Sequence, residues 1–150
     1  MENDFSASEI VDLEKKLRYI SGIIKQNGRK ILNNYPITSP QFVALQWLVE
    51  EGDLTIGELS NKISLAFSTT TDLVDRMEKN DLVERVKDTR DRRVVRIHVL
   101  EKGSTIIQEV IEKRQDFLGA VLEGFTEEEA GSLNELLGLL YKEMEKIQKK

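Results

Sequence analysis

The chain of 150 residues contains no cysteine, only two prolines and a single histidine, His98. Without cysteine, disulfides, thiolate metal sites and thiol redox sensing are excluded. One histidine would leave a transition-metal site to carboxylates alone, so we expect no metal and no cofactor, and His98 is expected to be an ordinary strand residue. No stretch approaches the roughly 20 apolar residues of a membrane span. The opening Met-Glu-Asn-Asp lacks the features of a signal peptide, so we expect a cytoplasmic protein without a membrane partner.

Enzyme signatures are also lacking. The sequence has no glycine-rich phosphate loop, no nucleophile accompanied by a base and no histidine–carboxylate motif. The acidic run 127–129 could suggest a calcium site, but consecutive helical positions point in different directions, which favours a charged helix start. We therefore predict that the protein is not an enzyme.

The charge that is present is unevenly distributed. The whole chain carries a formal net charge of −5. The window 85–96 carries +4, from Arg85, Lys87, Arg90, Arg92, Arg93 and Arg96 against Asp88 and Asp91. DNA responds to such a local patch rather than to the average over the molecule. A solvated charged hairpin is the alternative interpretation.

Apolar spacing and capping residues predict helices on either side of the two prolines. The first helix is expected over about 8–32. Ser39 is expected to cap the second helix, which Gly52 ends. The inner face of that helix is expected to consist of Phe42, Leu45, Leu48 and Val49. Thr55 and Glu58 form a capping box for a short third helix through about Ile63.

A turn at 65–67 leads to a fourth helix that ends near Lys79, because Asn80 and Asp81 both tolerate the left-handed conformation. Thr69 and Asp72 are spaced as its capping box, with Ser68 as an alternative cap. Two β-rich segments follow, 82–86 and 94–100, joined by a wholly polar loop. Two further helices are predicted, over about 104–122 and from the capping box at Thr126 onwards.

The resulting fold class is mainly α with a small antiparallel β wing. A winged helix-turn-helix DNA-binding region (39–103) is flanked by helical dimerisation regions (1–35 and 104–150) within a single domain, 1–150. The first and last helices carry apolar stripes at spacings of three and four, which indicate a homodimer. The candidate interface residues are Ile10, Leu13, Leu17, Leu133, Leu137, Leu140, Met144 and Ile147.

The fourth helix and the wing carry the groups that DNA recognition needs. Hydroxyls near the start of a helix can read base edges in the major groove, and threonine methyls can touch thymine. Arginines at a hairpin tip can reach the minor groove or phosphates. The candidate DNA contacts are Ser68, Thr69, Thr70, Thr71, Asp72, Arg76, Arg90, Arg92 and Arg93. The alternatives are a polar first turn and surface salt bridges with Asp88 and Asp91, which would stabilise little.

At these residues the chain resembles the MarR family of bacterial winged helix-turn-helix regulators. The matching motifs are Leu-Val-Asp-Arg-Met-Glu-Lys-Asn-Asp-Leu-Val-Glu-Arg (73–85), Asp-Arg-Arg (91–93) and Leu-Glu-Lys-Gly (100–103). Ser-Pro-Gln-Phe-Val-Ala-Leu (39–45) and Glu-Leu-Ser (58–60) match an earlier part of the pattern.

The resemblance implies a dimeric repressor that binds double-stranded DNA at a palindromic operator. It also implies release by a small, often phenolic, effector, whose pocket the sequence leaves unknown. Tyr19, Phe42, Trp47 and Phe117 could line such a pocket, but each is predicted to be a core residue instead.

Two further implications concern single residues. The resemblance implies that Asp75 pairs with Arg93 to brace the wing, and that Arg92 or Arg90 reaches the minor groove. Asp72 stands where many members carry arginine, so it either accepts from a cytosine amino group or only caps the helix. A winged-helix protein-interaction module without operator preference is the rival hypothesis.

Overall fold

The computed structural model describes residues 5–149, with six helices and one two-stranded antiparallel sheet in that range. In chain order the elements are α1 (Ala7–Leu32), α2 (Ser39–Glu51), α3 (Ile56–Ile63), α4 (Phe67–Lys79), β1 (Val83–Lys87), β2 (Val95–Val99), α5 (Glu101–Leu122) and α6 (Glu127–Gln148). The predicted class, mainly helical with a small antiparallel wing, is confirmed. No helix within 5–149 has the length and apolarity needed to cross a membrane.

Local capping chemistry accounts for most helix starts. The predicted capping boxes at Thr55 and Thr126 are both present. The prediction that Ser39 caps α2 was wrong, because the cap is Thr38, whose hydroxyl accepts from the backbone N–H of Gln41 while the Gln41 side chain accepts from the N–H of Thr38. Thr38 and Gln41 therefore form a box one residue earlier than expected, with Ser39 inside the helix.

The start of α4 also differs from the prediction. Neither Ser68 nor Thr69 is the cap, since the helix already begins at Phe67 and Ala66 occupies the N-cap position without a side-chain hydrogen bond. At its other end Asp81 adopts the left-handed conformation, with φ of 61°, as the turn after α4 requires. The prediction that Asp81 ends the helix is confirmed. The strain is modest, because aspartate tolerates the left-handed region of backbone conformation.

The wing is an antiparallel hairpin that is hydrogen-bonded to the segment just before α3. Its register runs from Val83 opposite Val99 to Lys87 opposite Val95. The N–H of Ile97 donates to the carbonyl of Leu54 at 2.7 Å, an isolated bridge between β2 and the segment just before α3. This bridge anchors the wing at a point well separated from it in sequence.

The hydrophobic core lies among α2, α3, α4 and the base of the wing. Its largest fully buried side chains include Phe42, Leu45, Leu59, Met77 and Ile97. Because Phe42 is buried, it is a core residue as predicted. The prediction that Val49 lies on the inner face of α2 was wrong, because its side chain is 45% exposed. Of the other aromatic residues predicted for the core, Trp47 is half-buried and packs against it. The prediction was wrong for Tyr19, which is exposed on α1, and for Phe117, which is half-buried on α5 but is not part of this core.

The chain divides into two compact units, one ending at Glu112 and the other beginning at Lys113. In the first unit, the N-terminal part of α1 exposes apolar side chains, among them Ile10, Leu13 and Leu17. In the second unit, α6 has no buried residue within its described length, and Leu137, Met144 and Ile147 are exposed. Each helix thus leaves an apolar stripe uncovered within a single chain.

Candidate nucleic-acid interface

Helix α4 has one face in the core and another in solvent. Val74 and Met77 are buried, whereas Ser68, Thr69 and Asp72 are exposed. The 3.6-residue period of the helix separates the two faces, so the three polar side chains are available to a partner. The sequence identified this exposed set correctly as surface residues; that they contact DNA stays a prediction.

Thr70 was wrongly assigned to the exposed face. It is completely buried, and its hydroxyl donates to the carbonyl of Ala66 at 3.0 Å. It lies four residues before Val74 and seven before Met77, which places it on the core stripe. The Thr71 hydroxyl likewise donates to the carbonyl of Phe67, at 3.0 Å. Of the four consecutive hydroxyls, those of Ser68 and Thr69 are therefore the ones left for a ligand.

The N-terminus of α4 also differs from those of α1, α2, α3 and α6. Those four helices are capped by side chains, whereas α4 has no side-chain cap. The first backbone N–H groups of a helix have no partner inside the helix and attract anions. The α4 terminus consequently leaves donors available next to Ser68 and Thr69.

The tip of the wing is shaped by two aspartates. The Asp88 carboxylate accepts from the backbone N–H of Arg90 at 2.9 Å, and Asp91 accepts from the N–H of Arg93 at 3.1 Å. The backbone N–H of Arg90, followed by Arg96, lowers the pKa of Asp88. The side chain and then the backbone N–H of Arg93 lower the pKa of Asp91. Both carboxylates are therefore ionised near neutral pH, and they hold the loop that carries the arginines.

The side chains of Arg90 and Arg92 have no hydrogen-bond or ion-pair partner among residues 5–149, and neither does that of Arg76 on α4. The proposed surface bridges to Asp88 and Asp91 do not form with Arg90 or Arg92. Asp88 pairs with Arg96, and Asp91 with Arg93. Unpaired arginines can contact phosphates without first breaking an internal ion pair.

The expected brace between Asp75 and Arg93 was wrong. Asp75 pairs with Arg85 at 2.7 Å, whereas Arg93 pairs locally with Asp91 at 3.1 Å and its side chain is 91% exposed. Arg85 also donates to Glu78 at 2.7 Å. The reason is proximity: β1 begins just after α4, so Arg85 lies against the helix, while Arg93 follows its own turn partner by two residues.

Arg85 is a positioning residue whose contacts the sequence pattern did not predict. It joins α4 to the wing through two carboxylates three residues apart, Asp75 and Glu78, and its backbone N–H also donates to Glu78 at 3.2 Å. The spacing of Asp75 and Glu78 was visible in the sequence, since residues at i and i+3 share one helix face. What sequence spacing did not supply was the direction of the strand side chain.

A second set of polar contacts ties the wing to α3 and to the loop before it. Arg96 reaches Glu58 at 3.3 Å and Asp88 at 3.4 Å. His98 is an exposed strand residue, and its Nδ1 lies 2.9 Å from Asp53. The backbone N–H and side chain of Thr55, followed by Arg96, lower the pKa of Glu58. Charged groups on α4, on α3 and in the loop before α3 therefore position the wing.

An apolar hollow of about 300 Å³ lies on the same unit, lined by Ser39, Pro40, Val43, Ile63 and Leu65. None of the aromatic residues considered for an effector pocket (Tyr19, Phe42, Trp47 and Phe117) lines it. The location of an effector pocket therefore stays unassigned.

Comparison with known proteins places these features in a family. The profile of the MarR family matches residues 37–95. An uncharacterized HTH-type transcriptional regulator of Bacillus subtilis, YsmB, is 62% identical over 137 residues, which are 91% of this chain and 94% of that protein.

A solved structure from the same family is also similar to this chain. A MarR family protein from Bacillus stearothermophilus has a TM-score of 0.90 and 61% identity, over 94% of this chain and 99% of that one. FabT of Streptococcus pneumoniae, solved in complex with DNA, has a TM-score of 0.74 and covers 90% of this chain and 99% of its own, but at 21% identity it shows a shared fold alone. Given the winged module, the family profile and a relative that matches over nearly its whole length, this chain belongs to the MarR family of transcriptional regulators.

Proposed function

We propose that the protein is a repressor that binds a palindromic DNA operator as a homodimer in the cytoplasm. One observation carries the proposal. A single module exposes hydroxyls at the uncapped start of α4 and also bears, on α4 and at the wing tip, arginines that have no partner among residues 5–149. An uncapped helix start and unpaired cations match the polyanionic backbone of DNA.

In this proposal α4 enters the major groove. Ser68 and Thr69 offer hydroxyl donors and acceptors to base edges, and Asp72 accepts from a cytosine amino group. Arg76 lies farther along the exposed side of the helix, where it neutralises a phosphate. Arg90 and Arg92 insert into the minor groove or contact flanking phosphates, and Arg93 adds a contact from its exposed position beside Asp91.

The dimer is supported by the uncovered apolar stripes. The stripe on α1 consists of the exposed Ile10, Leu13 and Leu17. That on α6 consists of the exposed Leu137, Met144 and Ile147 together with the half-buried Leu133 and Leu140. Ile147 is 72% exposed in the isolated chain, an unfavourable position for a large aliphatic side chain. A second copy that covers both stripes would present two α4 helices with two-fold symmetry, which matches a palindrome with half-sites one helical turn apart.

Repression is favoured over activation because a dimer seated on an operator blocks polymerase without needing an activating surface. We further propose that a small molecule, of the phenolic class that the family resemblance implies, releases the DNA. Such an effector must bind the released form of the dimer more tightly than the DNA-bound form, since a ligand with equal affinity for both shifts nothing.

Selection from genomic DNA tests the proposal. Purified protein is mixed with sheared genomic fragments at physiological salt, and the retained fragments are sequenced. We expect a palindrome with half-sites one turn apart, bound with an affinity whose logarithm falls by about 0.9 per decade of salt for each phosphate neutralised. Retention of unselected DNA, or of none, with a shallow salt dependence would favour a protein-interaction module instead.

A further inference from the structure

The first residue of α4 is an exposed aromatic. Phe67 is 62% exposed, the highest value among the large hydrophobic side chains between residues 33 and 112. Sequence spacing predicted it to be part of the turn, whereas the structure begins the helix with it. Single exposed apolar residues are common on protein surfaces, so the position of Phe67, rather than its exposure, is informative.

That position adjoins the polar groups that the proposed function places in the major groove. Ser68 and Thr69 follow Phe67 directly, and both are exposed. Cα–Cβ bonds tilt towards the N-terminus of a helix, so a side chain on the first residue covers the entrance of the helix rather than a later turn. The end of α4 that leads into a groove therefore carries a phenyl ring beside two hydroxyls.

The first turn is also fixed in place. The Thr71 hydroxyl donates to the Phe67 carbonyl and the Thr70 hydroxyl to the Ala66 carbonyl, each at 3.0 Å. These bonds occupy the donors of two hydroxyls. They also hold the backbone that carries Phe67, so the ring is presented from an ordered turn rather than from a loose one.

The chemistry of the major groove offers this ring one matching group. Base edges there present hydrogen-bond donors and acceptors, and the C5 methyl of thymine is the apolar feature among them. We propose that Phe67 packs against a thymine methyl in each half-site and so determines specificity at that base. This inference rests on the proposed function, since it requires α4 to enter the major groove.

A second copy of the chain is the competing occupant of this surface. The neighbours of Phe67 on the exposed face of α4 argue against it, because they are Ser68, Thr69 and Asp72 rather than apolar residues. The extended apolar stripes belong to α1 and α6. On α4, Phe67 is thus an apolar side chain among exposed polar ones, as expected for contact with a base edge, whereas Leu65, which is 38% exposed, lies in the turn before the helix.

The test combines a protein change with a DNA change. In the selected operator, each thymine of a half-site is replaced in turn by deoxyuridine, which lacks only the C5 methyl. For the wild-type protein we expect one symmetric position at which replacement weakens binding by about four-fold per half-site, or about fifteen-fold for both, the value for one buried methyl-sized group. Phe67→Ala should bind the thymine operator more weakly and show no further loss with deoxyuridine. Phe67→Leu should still bind more weakly when deoxyuridine replaces thymine.

Val49→Ala, which shortens another exposed apolar side chain on α2, is the matched control and should behave as wild type. Circular dichroism and sedimentation should show all variants folded and with the same mass.

A wild-type protein that binds no operator overturns the proposed function and this inference with it. A protein that binds its operator but tolerates deoxyuridine everywhere, or a Phe67→Ala variant that keeps the wild-type sensitivity, overturns the thymine contact alone. A changed mass for Phe67→Ala would assign the ring to a protein interface and overturn it equally.

Discussion

At the scale of single residues, Gly103 shows how close the packing is where α5 begins. A Cβ atom on Gly103 would lie 2.6 Å from the carbonyl oxygen of Leu82 and 3.1 Å from a methyl group of Leu45. The first of these is backbone and cannot rotate away. Glycine is therefore required here by the approach of α5 to the segment that enters the wing.

We accordingly expect Gly103→Ala to lower the free energy of unfolding by about 1–3 kcal/mol, the usual cost of overpacking. Urea unfolding followed by circular dichroism measures the change. Gly119→Ala in the same helix is the control, because nothing lies within 4 Å of the added atom, and helix propensity should make that variant slightly more stable. Equal stability of the Gly103 variant and the wild type would contradict the close approach.

Arg92 tests the wing at the same scale. Because its side chain has no partner within 5–149, Arg92→Ala should leave the melting temperature and the dimer unchanged. Operator binding should weaken at least ten-fold, and the slope of log K against log salt should become shallower by about 0.9 for each copy that loses a phosphate contact. Electrophoretic mobility shifts at several salt concentrations measure both quantities.

Arg18→Ala on α1 controls for the loss of an exposed arginine, since Arg18 forms a surface pair with Glu14. It should bind the operator with the wild-type affinity and salt slope. An Arg92→Ala variant that also behaves as wild type would remove this arginine from the DNA interface.

At the scale of elements, the wing is joined to α4 by the pairs of Arg85 with Asp75 and Glu78. Asp75→Ala should weaken DNA binding by loosening the wing, since Arg85 is then held to α4 by Glu78 alone, although Asp75 need not touch DNA. A double-mutant cycle should find a coupling of about 0.5–1 kcal/mol in unfolding free energy between Asp75 and Arg85, typical of partly exposed pairs. If the cycle instead found coupling between Asp75 and Arg93 and none between Asp75 and Arg85, the brace that the family resemblance implies would be supported.

The turn of the wing should respond to acid. The pKa of Asp88 is lowered mainly by the backbone N–H of Arg90, so ionised Asp88 stabilises the folded turn. That stabilisation is present above the unfolded-state pKa of about 4 and disappears as pH falls through the lowered folded-state pKa. The Arg90 amide resonance should therefore be unchanged at pH 5 and shift only below about pH 4.

The Asp88→Asn variant supplies the control for this titration. It removes the carboxylate, so its Arg90 amide should show no such step, although an amide oxygen can still accept the hydrogen bond. A wild-type amide that shifts between pH 5 and pH 7 would show that another group controls the loop.

At the scale of the whole molecule, the uncovered stripes on α1 and α6 predict obligate pairing. Leu137→Glu should convert the dimer into monomer at micromolar concentration and abolish operator binding, because an unpaired carboxylate cannot be buried cheaply in an apolar interface. Sedimentation velocity measures the mass. Val49→Glu, at another exposed apolar position, should remain dimeric. A dimeric Leu137 variant would exclude this stripe from the interface.

Much of this architecture could be predicted from sequence because its signals are local. The capping boxes at Thr55 and Thr126, the left-handed Asp81 and the polar loop between the two strands each depend on residues within a few positions of one another. Local hydrogen bonds and backbone preferences act there regardless of the rest of the chain, so the helices and the wing were predicted to within a few residues.

Residue roles at the candidate site were less predictable, because they depend on which segments meet in space. Arg96 and Glu58, which help to position the wing, are 38 residues apart. Thr70 is buried and Phe67 exposed because the core fixes the rotation of α4, whose N-cap is Ala66 rather than the expected Thr69 or Ser68. The sequence alone determined the fold class, the family and the basic wing. Only the tertiary structure decided which arginine holds Asp75 and which side chains α4 turns outward, since burial and ion pairing are set by distances between elements that local patterns do not specify.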